Sequence, residues 1–383
     1  MDIAQGIEYV GVDDHEVDLF EGQFAVPNGM AYNSYVILDE QVAVMDSVDA
    51  NFVDEWLSNV ERVLAGKKPS YMVVSHMEPD HSAGIFAFME KFPECKVVAT
   101  AAAFKMMTLF FGTDFGDRKV LAKEGAELAL GKRTLKFVLA PFVHWPEVMM
   151  TYDAADKILF SADAFGKFGA NDVDEPWDDE ARRYYIGIVG KYGDKVQALF
   201  KKLGSLEIEK ICALHGPVLS GDLGHYLGLY ATWSSYAPET KGVFIAYASA
   251  YGNTKRAASF LAAKLGDLGV PCELADLARA DMAASIANAF RYEKLVLASV
   301  TYNAEIFPPM RTFISGLVER NFKNRKVALI ENGSWAPTAA KVMKALLEKS
   351  EGLTYAETQV TVRAALNDEA CAKLDLLAKE LAL

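Results

Sequence analysis

From about residue 240 onward, short apolar segments alternate five times with amphipathic segments of helical period. The apolar segments lie near Val243–Ala248, Pro271–Leu274, Lys294–Ser299, Lys326–Glu331 and Gln359–Val362. The amphipathic segments lie near Thr254–Leu265, Met282–Ala289, Met310–Glu319, Thr338–Lys349 and Asp368–Leu381. Parallel strands are joined by long crossover connections, usually helices, which then cover both faces of the sheet. This pattern predicts an α/β domain over residues 241–383, built on a doubly wound, five-stranded parallel sheet.

The sequence before residue 240 is instead rich in short apolar strands and has few long helices. Strands are expected near Ser34–Leu38, Val42–Met45, Met72–Ser75, Val97–Thr100, Thr134–Ala140 and Ile158–Ser161. The segment Met149–Phe160 predicts a β-hairpin, because Asp156 in its middle is a residue that favours turns. Helical period occurs at Asn51–Leu64 and Ile85–Lys91. We therefore place a first domain over residues 1–240.

Composition excludes several classes of function. The 383 residues carry 39 Lys and Arg against 52 Asp and Glu, a net charge of −13, whereas nucleic-acid binding needs a basic surface. No apolar run reaches the ~18 residues of a membrane span, and the first residues lack the features of a signal peptide. The four cysteines form no CxxC pair, which argues against a rubredoxin-type site and fits a reducing compartment. We expect a cytoplasmic protein with no nucleic-acid or membrane partner.

Four potential metal ligands lie within six residues directly after an apolar strand. They are His76, Glu78, Asp80 and His81. In an extended loop, alternate residues point the same way, so His76, Glu78 and Asp80 are expected to face one site. Pro79 favours an extended conformation at Glu78. A lone strand-end histidine is more often structural, but this cluster is typical of metal binding.

Three further candidate ligands follow later strands. They are His144, Asp163 and His215. Four of the six histidines therefore stand at strand ends, and a carboxylate can bridge two metals that lie ~3.5–4 Å apart. Taken together, the seven residues predict a binuclear metal site.

Three loops of the second half fall where parallel strands end, at one edge of the predicted sheet. The first is rich in small and hydroxylated residues, and its N–H groups with the Ser249 and Thr254 hydroxyls suit a terminal phosphate. It has neither Walker nor GxGxxG spacing, which favours a monophosphate such as that of FMN. Tyr302 and Trp335 could stack on a flavin ring, or simply pack over the sheet end. The candidate FMN-binding residues are Ser249, Ala250, Tyr251, Gly252, Asn253, Thr254, Ser299, Val300, Thr301, Tyr302, Asn303, Ala304, Asn332, Gly333, Ser334, Trp335 and Ala336.

These motifs resemble two known folds. The metal cluster resembles the HxHxDH motif of the metallo-β-lactamase fold, an αββα sandwich, with Glu78 in place of the second histidine. The first loop of the second half resembles the flavodoxin phosphate loop [ST]x[ST]GxT, with Tyr251 at the third position. The second loop resembles the flavodoxin SPTYN stretch, with Val300 in place of proline. The two halves together resemble the flavodiiron proteins, also called A-type flavoproteins, of the minimal two-domain class.

The resemblance implies a non-haem diiron centre and FMN. By that resemblance, His76, Glu78 and His144 bind one iron, Asp80 and His215 bind the other, and Asp163 bridges them. His81 either binds the second iron or swings away. A mixed set of imidazoles and carboxylates suits iron. Tyr184 and Tyr185 are candidates to donate hydrogen bonds near the irons, with a role as core aromatics the alternative.

The implied activity is reduction of dioxygen to water or of nitric oxide to nitrous oxide, with a slight preference for dioxygen. Two ferrous ions and reduced FMN hold four electrons, dioxygen needs four, and two nitric oxide molecules need two. The electron donor is rubredoxin or a similar external carrier. Lys323, Arg325 and Lys326 could form part of a basic docking site for it, and an ordinary solvated loop is the favoured alternative for this charge run. The implied assembly is a head-to-tail homodimer or a dimer of dimers.

Two other functions compete with this interpretation. One is a binuclear zinc hydrolase with a regulatory flavodoxin domain, and Glu78 argues against it because zinc hydrolases of this fold favour imidazole. The other is an electron carrier or gas sensor whose diiron centre only signals.

Overall fold

The computed structural model describes residues 3–383, which form two compact units. The first unit ends at Tyr230 and the second starts at Ala231, so the division falls about ten residues before the boundary predicted near residue 240. No helix within residues 3–383 is both long and apolar enough to cross a membrane.

The first unit contains two six-stranded sheets and two short ribbons. Its strands are β1 (Ile7–Tyr9), β2 (Val12–Asp14), β3 (Leu19–Phe20), β4 (Phe24–Ala25), β5 (Met30–Tyr32), β6 (Tyr35–Ile37), β7 (Val42–Met45), β8 (Pro69–Val73), β9 (Lys96–Ala99), β10 (Lys119–Leu121), β11 (Glu127–Ala129), β12 (Thr134–Leu139), β13 (Met149–Asp153), β14 (Ile158–Phe160), β15 (Lys210–Cys212) and β16 (Leu219–Ser220). The sheet orders are β1-β6-β7-β8-β9-β10 and β11-β12-β13-β14-β15-β16, and the ribbons are β2-β5 and β3-β4. The predicted hairpin is confirmed, since β13 and β14 pair antiparallel.

Seven α-helices accompany these strands within the described residues. They are α1 (Val53–Leu64), α2 (Pro79–Ser82), α3 (Ile85–Lys91), α4 (Ala101–Phe111), α5 (Trp177–Tyr184), α6 (Gly193–Leu203) and α7 (Leu223–Ser234), the last of which contains the division between the units. Trp56 of α1 packs against Phe88 of α3, with ring centroids 5.6 Å apart, and donates a hydrogen bond to Ser34 beside β6.

The core of the first unit lies between its two sheets. Ile37, Met45 and Val73 of the first sheet meet Phe137 and Phe160 of the second in one buried cluster. Residues of opposite orientation on the same strands, such as Val44 and Met72, are also fully buried. Strands buried on both faces appear in the sequence as continuous apolar runs, which is why β7 and β8 could be predicted. The arrangement is the predicted metallo-β-lactamase-like sandwich.

The second unit is built on a doubly wound parallel sheet. Its strands are β17 (Thr240–Ala248), β18 (Cys272–Asp276), β19 (Tyr292–Tyr302), β20 (Glu305–Ile306), β21 (Lys326–Asn332), β22 (Thr354–Tyr355) and β23 (Val360–Val362). Its helices are α8 (Asn253–Asp267), α9 (Met282–Arg291), α10 (Pro308–Glu319), α11 (Ala339–Leu346) and α12 (Asp368–Leu381). The order is β18-β17-β19-β21, and β22 and β23 both pair parallel with β21.

This order is that of flavodoxin-like sheets, in which ligands bind at the carboxyl ends of the strands. The predicted five-stranded parallel sheet is confirmed, with two local differences. Two short segments, β22 and β23, share the fifth position, and β20 adds an antiparallel pair at the end of β19.

Candidate functional site

The first candidate ligands lie on the connection from β8 to α3. The chain leaves β8 at Val73 and enters the single helical turn α2 at Pro79, where proline's fixed φ suits the first helical position. Asp46, at the end of β7, accepts a hydrogen bond from the Ser75 backbone N–H at 2.6 Å. His76 and His81 are completely buried, so this connection carries two imidazoles into the interior.

Four side chains, His76, Glu78, His144 and Asp163, converge into a first ligand group. His76 Nε2 lies 3.1 Å from Glu78 Oε2 and 3.2 Å from Asp163 Oδ2. His144 Nε2 lies 3.1 Å and 3.0 Å from the same two oxygens. Ligands at right angles around one ion, each ~2.1 Å from it, are about 3 Å apart. The four atoms are therefore spaced like the ligands of a single metal ion.

A second ligand group consists of Asp80, His81 and His215. Asp80 Oδ2 lies 3.3 Å from the Nε2 atoms of both histidines, which are 3.0 Å from each other. Asp163 Oδ1 lies 3.7 Å from His81 Nε2 and 3.8 Å from His215 Nε2. Asp163 thus turns one oxygen toward each group, as a bridging carboxylate would.

The expectation that His76, Glu78 and Asp80 face one site is wrong for Asp80. His76 and Glu78 lie in the extended part of the connection and share the first group. The segment Pro79–Ser82 is helical, so its side chains follow a period of about 3.6 residues instead of two. This turn directs Asp80 and its neighbour His81 to the second group.

The buried polar atoms of this cluster fit metal ions. All four carboxylate oxygens of Asp80 and Asp163 are buried without a hydrogen bond of good geometry. Buried polar groups are otherwise almost always satisfied, and each unsatisfied one is costly. Three carboxylates with four imidazoles form the mixed oxygen and nitrogen donor set that suits non-haem iron.

The electrostatics favour positive charge at the centre of the first group. Burial lowers the pKa of His144, but the adjacent carboxylates of Asp163 and Glu78 outweigh it and raise the pKa to about 9. Burial likewise raises the pKa of Glu78, yet His144 and His76 bring it down to about 2. For His81 in the second group, burial dominates and lowers the pKa to about 4. Metal cations would replace the protons that the first group attracts.

Two hydrogen-bond acceptors orient the imidazoles. Glu147, only 2% exposed, lies 2.8 Å from His76 Nδ1 and accepts the Met77 N–H at 2.9 Å. The Ala31 carbonyl lies 2.7 Å from His215 Nδ1. When Nδ1–H donates to such a partner, the Nε2 lone pair is free for a metal. Sequence reasoning missed Glu147, whose only signal is its position three residues after His144.

The two tyrosines named from the sequence differ in position. The Tyr184 ring lies 5.4 Å from the His215 ring, and the carboxylates of Asp163, Asp80 and Glu78 add to burial in raising the pKa of Tyr184. Tyr185 packs on Tyr230, with ring centroids 4.9 Å apart. Tyr184 therefore borders the ligand groups, whereas Tyr185 contacts an aromatic of the core.

A cavity of about 520 Å³ reaches the ligand groups, and Glu78 and Asp80 are among its lining residues. Tyr32 and Phe20 contribute aromatic walls, and Asp14 and Glu21 contribute carboxylates. It is far larger than a diatomic molecule, so a small gas could reach the ligands from this side.

The predicted flavin loops of the second unit line one cavity of about 190 Å³. The lining residues are Ser249, Ala250, Tyr251, Asn253, Thr254, Val300, Thr301, Asn303, Ala304, Asn332, Gly333, Ser334, Trp335 and Ala364. Thirteen of these fourteen were named from the sequence. Ala364, on the loop after β23, was missed, since the sequence indicated binding loops only after the first, third and fourth parallel strands.

The first loop leads directly into α8. Gly252 has φ +89°, a conformation that side chains rarely adopt, and its N–H donates to Ser249 Oγ at 3.0 Å. This turn leaves the first N–H groups of α8 without partners inside the helix, as an anion site requires. Trp335 is 71% and Tyr251 95% exposed, as aromatics that stack on a flavin would be before it binds.

Four of the named residues do not line this cavity: Gly252, Ser299, Tyr302 and Ala336. The Ser299 hydroxyl is used within the fold, since it donates to the Val300 carbonyl at 3.1 Å. Tyr302 packs against Phe307, with ring centroids 5.4 Å apart, which is the packing alternative weighed for this residue.

The proposed basic docking site is wrong for Arg325. This side chain is only 3% exposed, and its guanidinium donates to backbone carbonyls that include those of Tyr292 and Tyr236. Lys326 pairs with Glu380 at 3.1 Å. Arg325 therefore serves internal bonding and is not part of a charged surface.

Comparison with known proteins gives two matching family models. Residues 30–216 match the ODP family beta lactamase, and residues 244–366 match the flavodoxin domain. The chain is also similar to a nitric oxide reductase of Moorella thermoacetica, with 30% identity over 372 residues that cover 94% of this chain and 92% of the relative.

Two solved structures resemble nearly the whole chain. The flavodiiron protein from Giardia intestinalis has a TM-score of 0.91 and 26% identity, over 99% of this chain and 96% of that chain. The rubredoxin oxygen:oxidoreductase from Desulfovibrio gigas has a TM-score of 0.92 and 26% identity, over 100% of this chain and 97% of that chain.

Proposed function

The chain belongs to the flavodiiron protein family, and on that premise we propose that it is a gas reductase. Its cofactors are FMN and a non-haem diiron centre, and it is an oxidoreductase. The proposed reactions are reduction of dioxygen to water and of nitric oxide to nitrous oxide. The electrons come from rubredoxin or a similar external carrier.

One observation carries this proposal: seven buried or half-buried side chains form two adjoining ligand groups that share Asp163. We assign His76, Glu78 and His144 to one iron, Asp80, His81 and His215 to the other, and Asp163 to both. His81 is included because its Nε2 faces Asp80 and His215. The carboxylate-rich donor set and the family together favour a reductase over a zinc hydrolase.

The protein's own groups prepare the site for a small neutral substrate. Glu147 and the Ala31 carbonyl hold two imidazoles with Nε2 facing the metals. Tyr32, Phe20 and Tyr184 surround the second group with aromatic rings, which limits the water around it. When bound, the diiron centre and reduced FMN supply two reducing equivalents each. Tyr184 is the side chain we propose as a hydrogen-bond donor toward the reacting gas.

The proposed assembly is a head-to-tail homodimer. All seven candidate iron ligands precede Tyr230, whereas the flavin loops follow Ala231. In such a dimer, the FMN of one chain would serve the irons of its partner, and a twofold axis would create two equivalent composite sites.

The test is steady-state consumption of each gas by the iron- and FMN-loaded protein, with one reduced rubredoxin as donor. We expect both gases to be consumed and dioxygen to be faster, because the four stored reducing equivalents match one dioxygen molecule. Faster consumption of nitric oxide would reverse the preference. Consumption of neither gas, with both cofactors present and reduced, would contradict the proposed function.

A further inference from the structure

Glu331 is a buried carboxylate in β21. It is 6% exposed, and none of the ion pairs within residues 3–383 involves it. Its Oε2 accepts the Ala340 N–H at 3.0 Å, and its Oε1 accepts the Thr361 hydroxyl at 2.8 Å. Both oxygens act as hydrogen-bond acceptors. A charge in such a position acts over a longer range than a surface charge, because water and salt screen it less.

Glu331 adjoins the flavin cavity along the chain and across the sheet. The next residue, Asn332, lines the cavity. The parallel neighbour of Glu331 on β19 is Ser299, which directly precedes the lining residues Val300 and Thr301. Adjacent strands lie about 4.8 Å apart, so the carboxylate is close to two flavin loops at once.

Hydrogen bonds tie the same carboxylate to the loop that carries Trp335. The N–H groups of Thr338 and Ala339 donate to Thr301 Oγ1 at 3.0 Å and 3.2 Å, and the next N–H, that of Ala340, donates to Glu331. The three N–H groups at the start of α11 are thus satisfied by the protein itself. The loop between Asn332 and Thr338 is held at its far end by Thr301 and Glu331.

We propose that the buried Glu331 carboxylate lowers the reduction potential of the bound FMN. FMN takes up two electrons and one proton on full reduction near neutral pH, so the bound flavin gains one negative charge. A fixed negative charge nearby makes that gain less favourable, and charge near the flavin ring is a recognised means by which proteins tune it. The inference rests on the proposed location of FMN in the cavity lined by the three loops.

The test is the midpoint potential of FMN in the holoprotein, measured anaerobically against reference dyes for wild type and Glu331→Gln. Removal of one buried negative charge near the flavin favours reduction of the flavin, and this effect is partly offset because the charge is already hydrogen-bonded to the Ala340 N–H. We expect the reduction equilibrium constant to rise about tenfold, which is about 30 mV for a two-electron couple. An unchanged or lower potential in Glu331→Gln would overturn the proposal.

Glu305→Gln is the matched control. Glu305 also follows a flavin loop, but its side chain is 56% exposed and paired with Arg311. Its charge is screened by water and salt, so its removal should leave the potential unchanged at about 0.1 M salt. A shift as large as that of Glu331→Gln would mean that any nearby carboxylate has this effect, which contradicts a specific role for the buried one.

A second variant distinguishes an effect of the Glu331 charge on the potential from an effect of the loop structure that Glu331 supports. Thr361→Val removes the hydroxyl bond to Glu331 but keeps the carboxylate, so its potential should be no higher than that of wild type. If Glu331 acted only by holding the loop, both variants would raise the potential together and weaken FMN binding. The FMN content of the wild-type chain distinguishes failure of this proposal from failure of the proposed function. A wild-type chain that binds no FMN would contradict the proposed function itself.

Discussion

Replacement of Asp163 by alanine is expected to remove both metals and to abolish gas reduction. Asp163 Oδ2 lies 3.0–3.2 Å from the imidazoles of the first group, and Oδ1 lies 3.7–3.8 Å from those of the second. Alanine would remove a ligand from each ion, together with the negative charge between the two cations. We expect iron measured by mass spectrometry to fall from about two per chain, as paired sites hold, to background.

Asp14→Asn is the matched control for this variant. Asp14 is also buried and lines the cavity that Glu78 and Asp80 line, but it accepts the backbone N–H groups of Glu16 and Val17, a role that an asparagine oxygen can fill. Iron and turnover should both persist in Asp14→Asn, and FMN should persist in Asp163→Ala. Two irons retained in Asp163→Ala would show that Asp163 is not the bridge.

Replacement of Ser249 by aspartate is expected to abolish FMN binding at ordinary protein concentrations. The new carboxylate would stand in the loop proposed to hold the flavin phosphate, which carries a charge of about −1.5 to −2 at neutral pH. Two unit charges about 4 Å apart repel by ~1–4 kcal/mol, depending on exposure. We expect the dissociation constant of FMN, measured by flavin fluorescence, to rise at least about 30-fold.

The affinity for riboflavin distinguishes charge repulsion of the FMN phosphate by the new carboxylate in Ser249→Asp from general damage to the loop. It has the same ring but no phosphate, so Ser249→Asp should change its affinity by less than about threefold. Ser249→Ala, which removes only the hydroxyl that accepts the Gly252 N–H, should weaken FMN binding by a few-fold. Equal losses of FMN and riboflavin in Ser249→Asp would contradict a phosphate site at this loop.

Mixing these two variants tests the proposed head-to-tail dimer. Asp163→Ala lacks irons but keeps its FMN loops, and Ser249→Asp lacks FMN but keeps its iron ligands. In a heterodimer, the FMN of the first chain would serve the irons of the second, and up to one of two composite sites would work. We expect coexpressed variants to recover activity that neither has alone. Activity that stays at background in an isolated heterodimer would mean that both cofactors must come from one chain.

The regular parts of this chain could be predicted because their burial leaves a direct pattern in the sequence. β7, β17 and β21 are almost entirely buried and contain uninterrupted apolar runs. Because the ends of neighbouring strands lie at the same sheet edge, the polar residues just beyond those strands were expected to lie close together. That reasoning is sufficient to bring His144, Asp163 and His215 together with His76 and to bring the flavin loops to one cavity.

The errors concern features that depend on local backbone geometry or on distant partners. The alternating spacing placed Asp80 on the same side as His76 and Glu78, whereas the single helical turn α2 directs it to the second group, the one that the family resemblance implied. Glu147 was missed because its function depends on contact with His76, 71 residues earlier. Arg325 was taken for a surface cation, since its sequence does not reveal that backbone carbonyls surround it.

The central claim is that two irons lie in the two ligand groups and share Asp163. The most direct test is a crystal structure of anaerobically purified protein, with anomalous data collected on both sides of the iron edge. The account predicts two iron peaks about 3.5–4 Å apart, one within about 2.3 Å of His76 and His144 Nε2, the other as close to His215 Nε2. Peaks that respond at the zinc edge instead, or a single peak with Asp163 unbound, would contradict it.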